Sequence, residues 1–165
     1  MNRRNSKPVW VGNVKIGGDA PITVQSMTKT DTRDVSATVK QIKELEESGC
    51  ELIRCAVPDM EAAKALGSIK SQISIPLIAD IHFHDQLALE SLRQGVDCLR
   101  LNPGNIRDAE KIKSIVQEAK IREIPIRIGV NFGSLPPVGA IGVTKGPGLA
   151  GTLLTGVSFA KGFSQ

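Results

Sequence analysis

Strand-like and helix-like segments alternate strictly through most of this chain, and the connections between them are short. After a hairpin signal (Val9-Trp10-Val11, a Gly12-Asn13 turn, Val14-Lys15-Ile16), a first strand begins at Pro21–Gln25. Further apolar runs at Glu51–Val57, Pro76–His82, Asp97–Leu101 and Pro125–Val130 read as strands two to five. Between them lie helical patterns. Asp34 is a good N-cap for a helix with Val35, Val39, Ile42 and Leu45 on one face, ended by Gly49. Asp59 caps a second helix with Met60, Ala63, Leu66 and Ile69. The third runs from about Asp85 to Gln94 and is closed by Gly95. Asp108 caps a fourth with Ile112, Ile115, Val116 and Ala119. Alternation of this kind with short connections demands a parallel sheet, because a parallel partner is reached only by a crossover. The fold class is therefore α/β. Neither the phosphate-binding G-x-x-x-x-G-K-[ST] loop nor G-x-G-x-x-G occurs in this portion, so doubly wound sheets and β/α barrels both stay open. Polar residues at the ends of several successive strands favour the barrel, whose sites collect side chains from many strand C-termini.

Those polar residues are unusual for such apolar strands. Arg54 lies near the end of strand two, Asp80 and His82 near the end of strand three, Arg100 and Asn102 at strand four, Arg127 and Asn131 at strand five. Side chains alternate between faces, so Asp80 shares a face with His82, Arg100 with Asn102, and Arg127 with Asn131. Buried charge is costly unless something compensates it. Three guanidinium groups at one barrel mouth repel one another unless an anion bridges them, and Arg has the planar fork that suits phosphate. This points to a phosphate or diphosphate pocket, with Asn102 and Asn131 as uncharged donors. The alternative is Arg paired with nearby carboxylates such as Asp80 or Asp97. Asp80 and His82 can orient substrate hydroxyls or shuttle a proton, or serve only as structural hydrogen-bonding groups. His84, past the strand, is expected on the surface. The Asn102-Pro103-Gly104-Asn105 turn offers backbone donors to a ligand or is ordinary loop punctuation. Gln25-Ser26-Met27-Thr28 also faces the expected mouth, although its residue types are unspecific.

Composition narrows the function classes. Apolar residues make up 41% of the 165 and charged ones 23%, which is a globular balance. Aromatics are only 3%, with no Tyr, which argues against stacking platforms for single-stranded nucleic acid. The formal charge of +4 is spread through the helices and reads as solvated helix faces. Met1-Asn2-Arg3-Arg4 is followed by too short an apolar run for a signal peptide, and Gly146–Ala160 is too short and glycine-rich for a membrane span. A soluble cytoplasmic protein is expected, with no nucleic-acid or membrane partner. Cys50, Cys55 and Cys98 form no C-x-x-C pair and read as reduced core thiols, so no metal ligands are assigned.

Several collinear motifs carry a family resemblance. Val24-Gln25-Ser26-Met27-Thr28, Ala79-Asp80-Ile81-His82-Phe83, Leu99-Arg100-Leu101-Asn102-Pro103-Gly104-Asn105 and Ile126-Arg127-Ile128-Gly129-Val130-Asn131 resemble the N-terminal barrel of the (E)-4-hydroxy-3-methylbut-2-enyl diphosphate synthases of the methylerythritol phosphate route to isoprenoids. The resemblance runs from about Arg3 to Leu135. It implies a TIM-type β/α barrel that holds a diphosphate. It also implies reductive opening of 2-C-methyl-D-erythritol 2,4-cyclodiphosphate, with flavodoxin or ferredoxin as electron donor and a 4Fe–4S cluster in a C-terminal domain. By resemblance, Arg54, Arg100, Arg127 and Asn131 match positions that hold the diphosphate, and Asp80, His82 and Asn102 line the same cavity. The three Cys and one carboxylate that hold the cluster in that family have no counterparts in Cys50, Cys55 and Cys98.

After Leu135 the chain changes character. Ala140–Gly151 and Gly156–Gly162 resemble an internal segment of the tRNA threonylcarbamoyladenosine-modifying proteins. The expected organisation is a truncated barrel over 1–135, of about five βα units after the hairpin, and a glycine-rich strand–helix tail of different origin over 136–165. Such a barrel is expected to be inactive alone and, having open sheet edges, to self-associate. Other phosphate- or pterin-binding barrel transferases, or a non-catalytic assembly module, are the alternative functions.

Overall fold

The computed structural model describes residues 6–82, 84–102 and 108–129. Strands β1 (Val9–Val11) and β2 (Val14–Ile16) form the expected antiparallel hairpin, with Val11 opposite Val14 and Val9 opposite Ile16. Five parallel strands follow, β3 (Gln25–Met27), β4 (Leu52–Ala56), β5 (Leu77–Ile81), β6 (Cys98–Leu101) and β7 (Ile126–Ile128), hydrogen-bonded in sequence order. Helices α1 (Val35–Glu47), α2 (Met60–Lys70), α3 (Asp85–Arg93) and α4 (Ala109–Ile121) fill the four crossovers. This is a hairpin followed by part of a TIM barrel.

The local signals act through identifiable bonds. The Asp34 carboxylate accepts the amide of Ala37, Asp59 that of Ala62, and Asp108 those of Glu110 and Lys111. Each supplies an acceptor that the first helical turn lacks, a contribution of about 1 kcal/mol. Helix α3 has His84 at its N-cap with no side-chain bond, and places Asp85 in its first turn instead, where a negative charge suits the helix dipole. His84 is exposed, as expected.

One strand differs from expectation. Residues 21–24 lie outside the ladder, which starts at Gln25. Gln25 pairs with Leu52, the first residue of β4, and just upstream the Val24 carbonyl accepts the backbone amides of Glu51 at 2.9 Å and Leu52 at 3.2 Å. The Val24 amide also donates to the Glu51 carboxylate, at 2.8 Å.

Two apolar layers flank the sheet. Outward-facing Ile53, Cys55, Leu77, Ala79, Ile81, Leu99 and Leu101 pack beneath Ile42, Leu66, Leu92 and Ile115 from the helices. On the inner face, Leu52, Ile78 and Cys98 pack against Val11, with Val14 and Ile16 of the hairpin beside them. The hairpin thus closes the N-terminal end of the curved sheet and excludes water from its lower interior. Asp97 helps fasten this end. It accepts the Leu77 amide at 2.7 Å and pairs with Lys70 at the end of α2. The inner face carries apolar side chains below and charged ones above, so burial at the bottom directs the polar side chains to the C-terminal end. The proposed tail over 136–165, and Pro103 to Asn105 of the turn after β6, lie outside the described residues.

Candidate functional site

Register decides which polar residues meet. Asp80 stands between Ala56 of β4 and Arg100 of β6, and Arg100 pairs with Arg127 of β7. Arg54 sits one inward-facing layer lower, between Met27 and Ile78. In-register residues of parallel strands face the same side. Arg54, Asp80, Arg100 and Arg127 therefore all point into the sheet's concave face, above Leu52, Ile78 and Cys98.

Asp80, only 2% exposed, is the hub. One of its oxygens, Oδ1, accepts Nη1 of Arg100 at 3.0 Å, while Oδ2 lies 3.4 Å from Nε of Arg54 and 3.6 Å from Nε2 of His82. The Arg54 contact is an ion pair without hydrogen-bond geometry, and its buried Nε–H makes no hydrogen bond among the described residues. The Nη2 of Arg54 meets the Met27 thioether at 3.2 Å. Arg127 reaches across the concave face, its Nη1 donating to Oε1 of Gln25. Asn102 is buried at the end of β6, on the same side as Arg100. Asn131 lies outside the described residues.

The electrostatics show crowding. Burial pushes Arg54 below the ordinary guanidinium value, Asp80 opposes this, and Arg100 adds to it. Burial also lowers Arg127; Cys98 opposes the shift, and Arg54 and Arg100 reinforce it. The three arginines are thus close enough to repel one another, and among the described ion pairs Asp80 is the one carboxylate that meets them, at Arg54 and Arg100. Of the two sequence-level alternatives for the arginines, pairing with Asp80 is realised for Arg54 and Arg100. Asp97 is excluded as their partner, because it faces α2 and binds Lys70. Arg127 pairs with no carboxylate among the described ion pairs. Among the described residues one carboxylate faces three guanidiniums, an excess of positive charge suited to a multiply charged oxyanion.

The described cysteines do not suit an iron–sulfur cluster. Cys55 packs on the helix side of the sheet and Cys98 on the hairpin side, so the sheet separates their sulfurs. Burial raises both thiols to about 11. The described residues contain no group of three or more His, Cys, Asp or Glu able to hold a metal ion. None of their helices is long and apolar enough to cross a membrane.

Sequence reasoning gave no specific role to two members of this site. Gln25 was placed at the mouth, but its carboxamide type is uninformative until Arg127 is seen to reach it. Gly129 follows Arg127 on the same face, and an ideal β-carbon there would stand 2.7 Å from Cζ of Arg100. Its signal in the sequence is only its even spacing from Arg127.

Comparison with known proteins agrees with this architecture. Residues 6–145 match the GcpE TIM-barrel domain. The chain is 65% identical over 136 residues to the 4-hydroxy-3-methylbut-2-en-1-yl diphosphate synthase (flavodoxin) of Dehalococcoides mccartyi strain BAV1, covering 82% of this chain and 39% of that protein. It is 59% identical over 133 residues to the corresponding Pseudomonas aeruginosa (LESB58) protein, covering 81% and 36% respectively. The chain thus spans somewhat over a third of the length of the curated relatives it matches. Among solved structures, the 7,8-dihydropteroate synthase of Vibrio fischeri superposes with a TM-score of 0.57 at 12% identity, over 79% of this chain and 51% of that one. The 4-hydroxy-2-oxoglutarate aldolase/2-deydro-3-deoxyphosphogluconate aldolase from TTHB1 superposes with a TM-score of 0.54 at 15% identity, over 86% and 68%. At these identities the superpositions speak for the barrel fold alone. The motifs, the barrel strands and the extent of sequence identity together make this chain a member of the GcpE family, corresponding to the N-terminal TIM-barrel portion of 4-hydroxy-3-methylbut-2-en-1-yl diphosphate synthase.

Proposed function

We propose that this barrel holds the diphosphate of 2-C-methyl-D-erythritol 2,4-cyclodiphosphate for its reductive conversion to (E)-4-hydroxy-3-methylbut-2-enyl diphosphate. The observation that carries this reading is the excess of half-buried guanidinium charge around Asp80, together with an Arg54 Nε–H that makes no hydrogen bond among the described residues. An oxyanion entering here meets donors already turned inward. Arg54 and Arg100 supply forked contacts, Arg127 can exchange Gln25 for a phosphate oxygen, and Asn102 and Asn131 add uncharged donors.

The chemistry explains why such a site helps the reaction beyond binding. Opening the cyclic diphosphate converts a bridging ester oxygen into a terminal phosphate oxygen and adds negative charge. Preorganised guanidiniums stabilise that developing charge more than they stabilise the intact ring, which is what lowers a barrier. Asp80 holds Arg100 in place, and His82, close to Asp80, is positioned to orient a substrate hydroxyl. The 4Fe–4S cluster implied by the family resemblance would supply electrons, with flavodoxin or ferredoxin as the donor. The described cysteines do not provide its ligands, so this barrel's own contribution is to bind and orient the diphosphate.

Titration calorimetry of the full chain with the cyclodiphosphate at low salt tests this. Exothermic binding that weakens with ionic strength and is lost in Arg54→Ala is the expected result. Absence of heat at low salt, or binding unaffected by that substitution, overturns it.

A further inference from the structure

Gly129, immediately after β7, is the next inward-facing position after Arg127 and has no functional group of its own. Its amide donates to the Leu101 carbonyl at 2.7 Å, which holds its backbone against β6. The Arg100 guanidinium occupies the space that a side chain at this position would fill. A β-carbon at this position would stand 2.6 Å from Nε and 2.7 Å from Cζ of Arg100, and closer still to Nη2. Gly129 is not among the positive-φ glycines, so alanine can take its backbone conformation. The conflict is therefore one between a side chain and the flexible end of Arg100, not a strain of the main chain.

We propose that Gly129 is a positioning residue for anion binding: the missing side chain leaves the space in which the Arg100 guanidinium lies flat against β7, bonded to Asp80 and on the same side as Arg127. This rests on the reading of the arginine cluster as a diphosphate site. With a methyl group at 129, the guanidinium must swing away from the strand. It then leaves Asp80, and the cluster loses one prepared fork while the sheet and helices stay intact.

The test uses the full chain and the variants Gly129→Ala, Arg100→Ala and the double variant, titrated with inorganic pyrophosphate. In parallel, guanidinium resonances of Arg100 are followed in isotope-labelled protein. Gly129→Ala is expected to weaken pyrophosphate binding about tenfold or more, with a melting temperature near that of the unsubstituted chain. The double variant should bind no more weakly than Arg100→Ala, because both substitutions remove the same interaction. Rotation about the Arg100 guanidinium, hindered in the unsubstituted chain, should become free in Gly129→Ala. Unchanged pyrophosphate affinity in Gly129→Ala, or losses that add in the double variant, overturn the proposal. If the unsubstituted chain itself binds no pyrophosphate, the diphosphate reading fails, and the resonances alone decide whether Gly129 seats Arg100: unaltered signals in Gly129→Ala overturn it. If Gly129→Ala does not fold but the double variant does, the clash with Arg100 is demonstrated; if neither folds, Gly129 serves the backbone and the proposal falls.

Discussion

The Arg127 guanidinium donates to the carboxamide of Gln25 across 102 residues of sequence, joining the two outermost strands of the five-stranded sheet through their side chains. The sheet is curved enough for its first and last members to touch over the concave face. That contact fastens an arginine with no carboxylate partner among the described ion pairs. Gln25→Ala and Arg127→Ala should each lower stability by about 1 kcal/mol. Their double-mutant cycle should show a coupling of about 0.5 kcal/mol or more in urea unfolding. Strict additivity would mean the contact is not formed in solution.

Asp80 should matter more to stability than any single arginine. Asp80→Asn leaves Arg54 and Arg100 facing each other without a counter-charge in a mostly buried setting. A loss of about 3 kcal/mol or more is expected from the urea midpoint. Added phosphate should restore more stability to this variant than to the unsubstituted chain, since the variant pocket is more positive and ligand binding favours the folded state. Equal stabilisation of both proteins by phosphate would show that the anion binds elsewhere.

Gly12 separates stability from binding. It adopts a φ of +55°, and an added β-carbon would lie 2.9 Å from Oδ1 of Asp97 and against the Pro76 ring. Gly12→Ala should destabilise the chain by about 1–3 kcal/mol through backbone strain and disturbance of the hairpin plug. Pyrophosphate affinity of the remaining folded protein should be unchanged, because the plug and the arginines occupy opposite ends of the concave face. A weakened affinity measured by calorimetry would link the two ends.

The buried thiols make stability fall at high pH. Folding raises Cys55 and Cys98 from the ordinary value of 9.0 to about 11. The folded state thus holds these protons more tightly than the unfolded chain. Their contribution is complete below about pH 9 and is lost progressively as pH rises towards 11. Cys98→Ala should flatten the fall in urea midpoint between those limits by roughly half. An identical pH profile would assign the decline to other groups.

The strand–helix alternation, the three aspartate caps and the hairpin turn were legible from residue types and spacing, because each depends on neighbours within a few positions. The inward direction of Arg54, Asp80, Arg100 and Arg127 was legible as parity, once the apolar faces were known. The choice of partner for each arginine was not. Asp80 and Asp97 are both acidic and both near strand residues, yet only Asp80 shares the concave face, while Asp97 turns to Lys70 on α2. The meeting of Gln25 with Arg127 and the seat of Arg100 on Gly129 were equally hidden. Local signals set which segments become strands and which side of each strand is buried, since short-range hydrogen bonding and side-chain periodicity require nothing more. Register and curvature, which need all five strands in place, decided which charges stand next to one another, and hence that Arg54 and Arg100 share Asp80 while Arg127 meets Gln25.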